Sequence, residues 1–156
     1  MTDDEINVLL PELKKVSEET FCHAVMALNT GMRAGEIWGL TSWADVDLEN
    51  SILTLRDTKN RKTRIAYLND ITSRLLTDRK PQNPDPYGLI FPGKGGAKID
   101  KISRTFKRVA DRIGLNAGIT DPRQKNCFSQ LQTCLCQQAG QESHRYLCGE
   151  RTPGAF

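Results

Sequence analysis

The chain has 156 residues, of which 38% are hydrophobic and 26% are charged, which is typical of one soluble globular domain with a single core. No apolar run is long enough for a membrane span, and the N-terminal segment MTDDEINVLL is acidic where a signal peptide would be basic. We therefore expect a cytoplasmic protein without a membrane partner. The formal net charge of +3 does not by itself indicate a nucleic-acid partner, because such binding depends on where the positive charges lie.

Two helices are predicted at the start of the chain. Thr2 is a typical N-cap because acidic residues fill the turn after it, and apolar residues then recur at helical spacing. The apolar positions of this first helix are Ile6, Leu9, Leu10 and Leu13. Residues 18–29 place Phe21, Val25 and Leu28 on one stripe. Gly31 then supplies the expected helix stop.

The next segments change from a helical to a strand-like period. A short helix from about Ala34 to Leu40 is followed by apolar residues that alternate with polar ones, separated by an ENS turn and a KNRK turn. These residues are Val46, Leu48, Ile52, Leu53, Leu55, Ile65, Tyr67 and Leu68. The pattern predicts a small antiparallel sheet.

Two further helices are predicted after the sheet. Asp70 is expected to cap a helix that runs to about Arg79, and a proline-rich loop then leads to a short strand, LIFP. A further helix is predicted from about Ile99 to Ile113, ending at Gly114. Its buried face comprises Ile102, Phe106, Val109, Ala110 and Ile113. The predicted fold class is α+β, a mostly helical single domain with a small antiparallel sheet.

Arg33 is the first candidate for chemistry. It follows a glycine turn at a helix start, where its guanidinium and the free backbone N–H groups suit a phosphate. The alternative is a surface ion pair between Arg33 and Glu36, and local sequence alone favours that alternative.

The wider context favours the phosphate. TGMRAGEIWGL, then WADVDLENSILTL, then TKNRKTRIAYLN resemble, in order and spacing, the opening half of the catalytic domain of the tyrosine recombinase, or phage integrase, family. The resemblance runs from about Thr2 to Arg123. It implies a tyrosine-recombinase catalytic-domain fold and a site-specific recombinase that cuts and rejoins DNA through a phosphotyrosine. It also implies that no cofactor is needed.

The resemblance assigns roles to three residues. Arg33 corresponds to the first catalytic arginine, which contacts the scissile phosphate. Glu36 corresponds to a carboxylate that supports the active-site residues without contacting the phosphate itself. Lys59 corresponds to the catalytic lysine, a general acid for the leaving 5′ oxygen. Lysine suits this role because its flexible stem delivers a proton that arginine would hold too tightly. Without the resemblance, Lys59 would be read as a solvated turn lysine.

Basic residues cluster on the predicted hairpin and on the helix from Ile99. The candidate DNA-binding residues are Arg56, Arg61, Lys62, Arg64, Lys101, Arg104, Lys107 and Arg108. Such stripes neutralise DNA phosphates, although a merely solvated helix face is the alternative. The implied partners are double-stranded DNA and other recombinase protomers.

The resemblance ends soon after the DPRQK segment. There the family continues with HxxRHxxAS, LGH and the nucleophilic tyrosine, whereas this chain reads NCFSQLQTCLCQQAG. A one-nucleotide frame shift after about Asn126 would permit both HxxRHxxAS and VSExLGH. We therefore hypothesise that residues 1–125 form an incomplete integrase-like catalytic domain. Residues 126–156 are expected to be a frameshifted, irregular or disordered tail rich in cysteine and glutamine.

The tail contains two further candidates. Tyr146 follows an arginine, but it lies too close to the hairpin half and has no LGH segment before it, so it is not predicted to be the nucleophile. Potential zinc ligands are Cys134, Cys136, His144 and Cys148. Their CxC and HxxxC spacing fits no zinc module, so no metal site is predicted.

Three functions remain open. The chain is foremost a recombinase catalytic-domain fragment, an enzyme by family that is itself expected to be inactive. The resemblance leads us to expect that the family's N-terminal core-binding domain is missing, so that the chain would be an excised piece or a degenerate fragment. The alternatives are a non-catalytic DNA-binding or interaction module derived from an integrase and a zinc-binding regulator.

Overall fold

A computed structural model describes residues 1–39, 43–56, 63–97, 99, 104–121, 125 and 128–131. Its helices are α1 (Asp3–Val16), α2 (Glu18–Thr30), α3 (Ala34–Trp38), α4 (Asp70–Arg79) and α5 (Arg104–Arg112). Its strands are β1 (Val46–Asp47), β2 (Ile52–Leu55) and β3 (Arg64–Tyr67). The predicted α+β class is confirmed: the described residues are mostly helical and carry one small antiparallel sheet. None of the described helices combines the length and apolarity of a bilayer-crossing segment.

The first helix begins at a reciprocal cap. The backbone N–H of Glu5 donates to Thr2 Oγ1 at 3.3 Å, and the backbone N–H of Thr2 donates to Glu5 Oε2 at 2.7 Å. The predicted N-cap is thus confirmed, and it satisfies two N–H groups that a helix start leaves unpaired. The four apolar residues predicted for α1 are all buried.

Helix α2 lies at the centre of the domain. It ends at Gly31, whose left-handed φ of 64° is cheap only for glycine, and the Gly31 N–H donates to the Ala27 carbonyl at 3.1 Å. The sequence predicted one buried stripe, but nearly every side chain from Thr20 to Thr30 is buried. Burial is this extensive because α1, α3 and α4 all pack against α2.

The sheet has the order β1-β2-β3, and both pairings are antiparallel. Leu53 lies opposite Ala66, and both side chains are buried together with Leu55. Ile65 and Tyr67, predicted among the alternating apolar residues, are instead 51% and 75% exposed. Since side chains alternate along a strand, turning Ala66 toward the core turns its larger neighbours outward.

The region from α4 to Phe91 departs from prediction in two ways. The N-cap of α4 is Asn69, not Asp70, because Asn69 Oδ1 accepts the Thr72 N–H at 3.0 Å. The segment LIFP is not a strand. The carbonyl of Ile90 accepts Arg79 Nε–H at 2.8 Å, and the Arg79 guanidinium covers the Phe91 ring at 4.8 Å. The Arg79 side chain, and not a neighbouring strand, therefore satisfies the Ile90 carbonyl.

Helix α5 runs from Arg104 to Arg112, and Ile99, the predicted start, is not helical. Phe106, Val109 and Ala110 are buried as predicted. Ile113, predicted on the same face, follows the helix and is only half-buried against the core. Ile102 lies outside the described residues. Gly114, at φ 80°, follows the helix at the expected place.

The core continues beyond Lys125. Residues 128–131 are helical, Phe128 is 3% exposed and Leu131 is fully buried. The Phe128 ring centroid lies 5.5 Å from that of Phe106 in an edge-to-face contact and 6.2 Å from that of Trp38. The first turn of the tail therefore packs against the domain. The irregularity predicted for the rest of the tail concerns residues outside the described ranges and stays a prediction.

Candidate catalytic and DNA-binding site

Arg33 lies immediately before α3 and is tied to the first turn of that helix. Its backbone N–H donates to Glu36 Oε2 at 2.7 Å, and its carbonyl accepts the N–H groups of Glu36 and Ile37 at 2.8 and 3.0 Å. The Arg33 side chain is 55% exposed. The backbone of Arg33 is thus held in place while its guanidinium faces solvent.

Glu36 binds two arginines, Arg33 three residues before it and Arg64, which is 28 residues away in sequence. Arg64, at the start of β3, donates from Nη2 to Glu36 Oε2 at 2.5 Å and from Nε to Oε1 at 3.3 Å. Arg33 contributes a single, longer side-chain contact, from Nη1 to Glu36 Oε1 at 3.4 Å. The Glu36 carboxylate therefore joins α3 to the loop end of the β2–β3 hairpin.

The pKa of Glu36 lies below its ordinary value. Burial of the side chain by itself raises this pKa, but the hydrogen bonds from Arg64 and from the Arg33 backbone, with the charges of both arginines, lower it by more. Glu36 is therefore ionised at neutral pH, and its charge is matched by the neighbouring guanidinium groups.

A second acidic residue holds the other side of the hairpin. Arg56, which directly follows β2, donates from Nε to Asp45 Oδ1 at 2.6 Å, and the Asp45 side chain is only 9% exposed. Sequence reasoning assigned Asp45 no role. The sequence did contain a signal for this pairing. The segments AGEIW and WADVD each carry an acidic residue, and the hairpin that follows them has an arginine at each end of its loop.

The structure brings some of the predicted site residues together. Arg33, Glu36 and Arg64 form one cluster, which we call the Glu36 cluster, and Arg56 lies at the end of the paired strand β2. Arg104, Lys107 and Arg108 are exposed on α5, a helix that packs against α1. Lys59, Arg61, Lys62 and Lys101 lie outside the described residues, so their predicted roles stay predictions.

Within the described ranges, no three His, Cys, Asp or Glu side chains are grouped so that they could hold a metal ion. The cysteines and the histidine weighed as zinc ligands in the tail lie outside those ranges. Cys22 is buried on α2, and burial raises the pKa of its thiol, which makes it a poor nucleophile.

Comparison with known proteins shows the family of the chain. The sequence model of the phage integrase family matches residues 1–130. The tyrosine recombinase XerA of Saccharolobus solfataricus is 29% identical over 115 residues, which cover 72% of this chain and 37% of the relative. The chain thus spans less than half the length of this curated relative.

Solved structures show the same fold. The Tn1549 transposon integrase in complex with circular intermediate DNA matches with a TM-score of 0.68 at 19% identity, covering 90% of this chain and 54% of that one. The XerH recombinase bound to a palindromic difH substrate matches with a TM-score of 0.65 at 21% identity, over 90% and 41% of the two chains. With the family model matching most of its length, the chain belongs to the phage integrase family.

Proposed function

We propose that this chain is part of the catalytic domain of a tyrosine-type site-specific recombinase and that it binds duplex DNA. Arg33 contacts the phosphate that is cut, and Lys59 donates a proton to the leaving 5′ oxygen. The observation that carries the proposal is the Glu36 cluster. In this cluster Arg33, with its exposed guanidinium, and Arg64, at the loop end of the hairpin, share one carboxylate, and Lys59 belongs in sequence to that loop, which supports the proposal.

The chemistry of Arg33 follows from its setting. Attack on a DNA phosphate builds up negative charge on the phosphorane, and a guanidinium held before the reaction stabilises that charge without rearranging. Glu36 supplies the holding contacts, because it binds both the backbone N–H and the side chain of Arg33. No metal is needed for this step, since the arginine carries the positive charge.

The DNA surface is proposed to combine the hairpin with α5. Arg104, Lys107 and Arg108 are exposed and lie within two turns of one helix, so they can neutralise neighbouring phosphates. The Tn1549 integrase and XerH were both solved in complexes with DNA, which supports the same class of partner for this chain.

Binding to a duplex of random sequence should therefore depend steeply on salt. We expect the slope of log affinity against log salt to fall by about 2–3 when Arg104, Lys107 and Arg108 are all changed to glutamine, because each lost phosphate contact removes about 0.9. Fluorescence anisotropy between about 50 and 200 mM salt measures this slope. Arg74→Gln, an exposed arginine on α4, is the control and should leave it unchanged. An unaltered slope in the triple variant would exclude α5 from the DNA surface.

We also propose that this chain, taken alone, forms no covalent DNA intermediate. The sequence after Lys125 contains no HxxRH motif, which would supply the second phosphate arginine, and no tyrosine preceded by LGH. A nicked suicide substrate should therefore yield no protein–DNA adduct. Tyr146→Phe is run in parallel. An adduct that forms with the unaltered chain and disappears in Tyr146→Phe would identify Tyr146 as the nucleophile and contradict the proposal.

The second candidate is a non-catalytic DNA-binding or interaction module derived from an integrase. The same missing motifs favour it, because DNA affinity needs only the basic surfaces. DNA binding without adduct formation is its expected signature, and adduct formation by the chain would exclude it.

A further inference from the structure

The two arginines of the Glu36 cluster are bound unequally. Arg64 engages both carboxylate oxygens with its Nε and Nη2 groups, the bidentate geometry for which a guanidinium is shaped. Arg33 reaches one oxygen with one nitrogen at 3.4 Å, close to the limit of a hydrogen bond. Arg64 is thus the main counter-ion of Glu36.

The exposure of the three side chains agrees with this unequal binding, because the more tightly bound arginine is also the less exposed one. The side chain of Glu36 is 9% exposed, that of Arg64 is 38% exposed and that of Arg33 is 55% exposed. A carboxylate with so little contact with water needs a cation and hydrogen-bond donors close by. Arg64 meets this need, so most of the Arg33 donors remain available to a ligand.

Removing Arg64 would change the partner of Arg33. Glu36 forms ion pairs with only these two arginines among the described residues, so Arg33 would become its sole counter-ion there. The Arg33–Glu36 contact would then tighten, and a phosphate would have to compete with a carboxylate for the same guanidinium. Both groups bind the same fork of N–H donors.

We propose that Arg64 is a positioning residue that occupies the Glu36 carboxylate and thereby keeps Arg33 free to bind a phosphate group. The inference rests on the proposed function, because it takes Arg33 as the phosphate ligand. It differs from the sequence-based prediction that Arg64 itself contacts DNA. In the structure, Arg64 is already engaged by Glu36.

The test is a double-mutant cycle of Arg64→Gln, Glu36→Gln and both changes together, measured as affinity for a short random duplex. Arg64→Gln should weaken binding roughly tenfold, the value of one charged hydrogen bond, and should lower the salt slope by about 0.9. In the Glu36→Gln background the same change should have no effect, because no carboxylate remains to capture Arg33. Arg74→Gln is the matched control for the loss of one charge. Thermal unfolding shows whether each variant is folded.

A second readout follows Arg33 directly. The NMR signal of Arg33 Nε–H is titrated with inorganic phosphate, and it should respond in the unaltered chain, fail to respond in Arg64→Gln, and respond again in the double variant. Recovery through the second substitution is not expected of a residue that merely stabilises the fold. Arg64→Lys keeps the charge without the bidentate contact and should give an intermediate response.

The outcomes separate the two proposals. If the unaltered chain binds no duplex at low salt, the proposed function fails, and the phosphate titration of Arg33 still tests Arg64. If Arg64→Gln weakens DNA binding equally with and without Glu36, Arg64 contacts DNA itself and the inference is overturned while the proposed function stands. Unchanged binding and an unchanged Arg33 response in Arg64→Gln also overturn the inference.

Discussion

Replacing Phe128 with alanine should lower the free energy of unfolding by about 3–5 kcal/mol, the usual cost of removing a buried aromatic ring. Phe128 is 3% exposed and contacts the rings of Trp38 and Phe106. The substitution leaves a cavity between α3 and α5, and its neighbours can fill this cavity only in part. Chemical denaturation monitored by tryptophan fluorescence measures the loss.

The loss should also reach the candidate site. Trp38 ends the short helix that begins next to Arg33, so loosening Trp38 should weaken phosphate binding by the chain as well as its stability. Tyr87→Ala is the control, because the Tyr87 side chain is 85% exposed and its removal should change neither property. A Phe128→Ala variant as stable as the unaltered chain would show that residues after Lys125 do not belong to the core.

Acid should destabilise the fold through His23. The side chain is 5% exposed, lies edge-on to Phe91 at 4.9 Å, and has no hydrogen-bond partner for Nε2 among the described residues. Burial, with a smaller contribution from the charge of Arg79, lowers the pKa of His23 from 6.5 to about 4. Between these two values the unfolded chain binds a proton that the folded chain does not. Stability from this group is therefore complete above about pH 6.5 and is lost as the pH falls toward 4.

The expected loss between about pH 7.5 and pH 5 is ~2 kcal/mol, measured as the free energy of unfolding in urea. Glu36 contributes little there, because its lowered pKa places its titration at more acidic pH. His23→Leu should remove most of this pH dependence, since leucine fills the apolar site without titrating. His144→Leu replaces the other histidine of the chain and should retain it. Equal pH dependence in all three proteins would contradict a buried neutral His23.

Local signals in the sequence determined much of the fold. The cap at Thr2, the stop at Gly31 and the alternation through β2 each act within a few residues of the structure that they produce, so they can be read without knowing the rest of the molecule. The order of the motifs likewise identified the family and singled out Arg33 and Glu36. The errors, such as the strand predicted at LIFP, fall where a short apolar run fits either a strand or a buried loop.

Only the tertiary structure decided which groups meet. Arg64 is 28 residues from Glu36 in sequence. No feature of the neighbouring sequence distinguishes an arginine that binds a carboxylate from one that binds DNA. The same holds for His23, whose pKa is lowered by burial and by the charge of Arg79, and whose ring contacts Phe91 and Trp38 lie on other segments. Burial and charge pairing depend on what the chain brings alongside each residue. The sequence motifs therefore identified the candidate site residues, and tertiary packing determined which residues they contact.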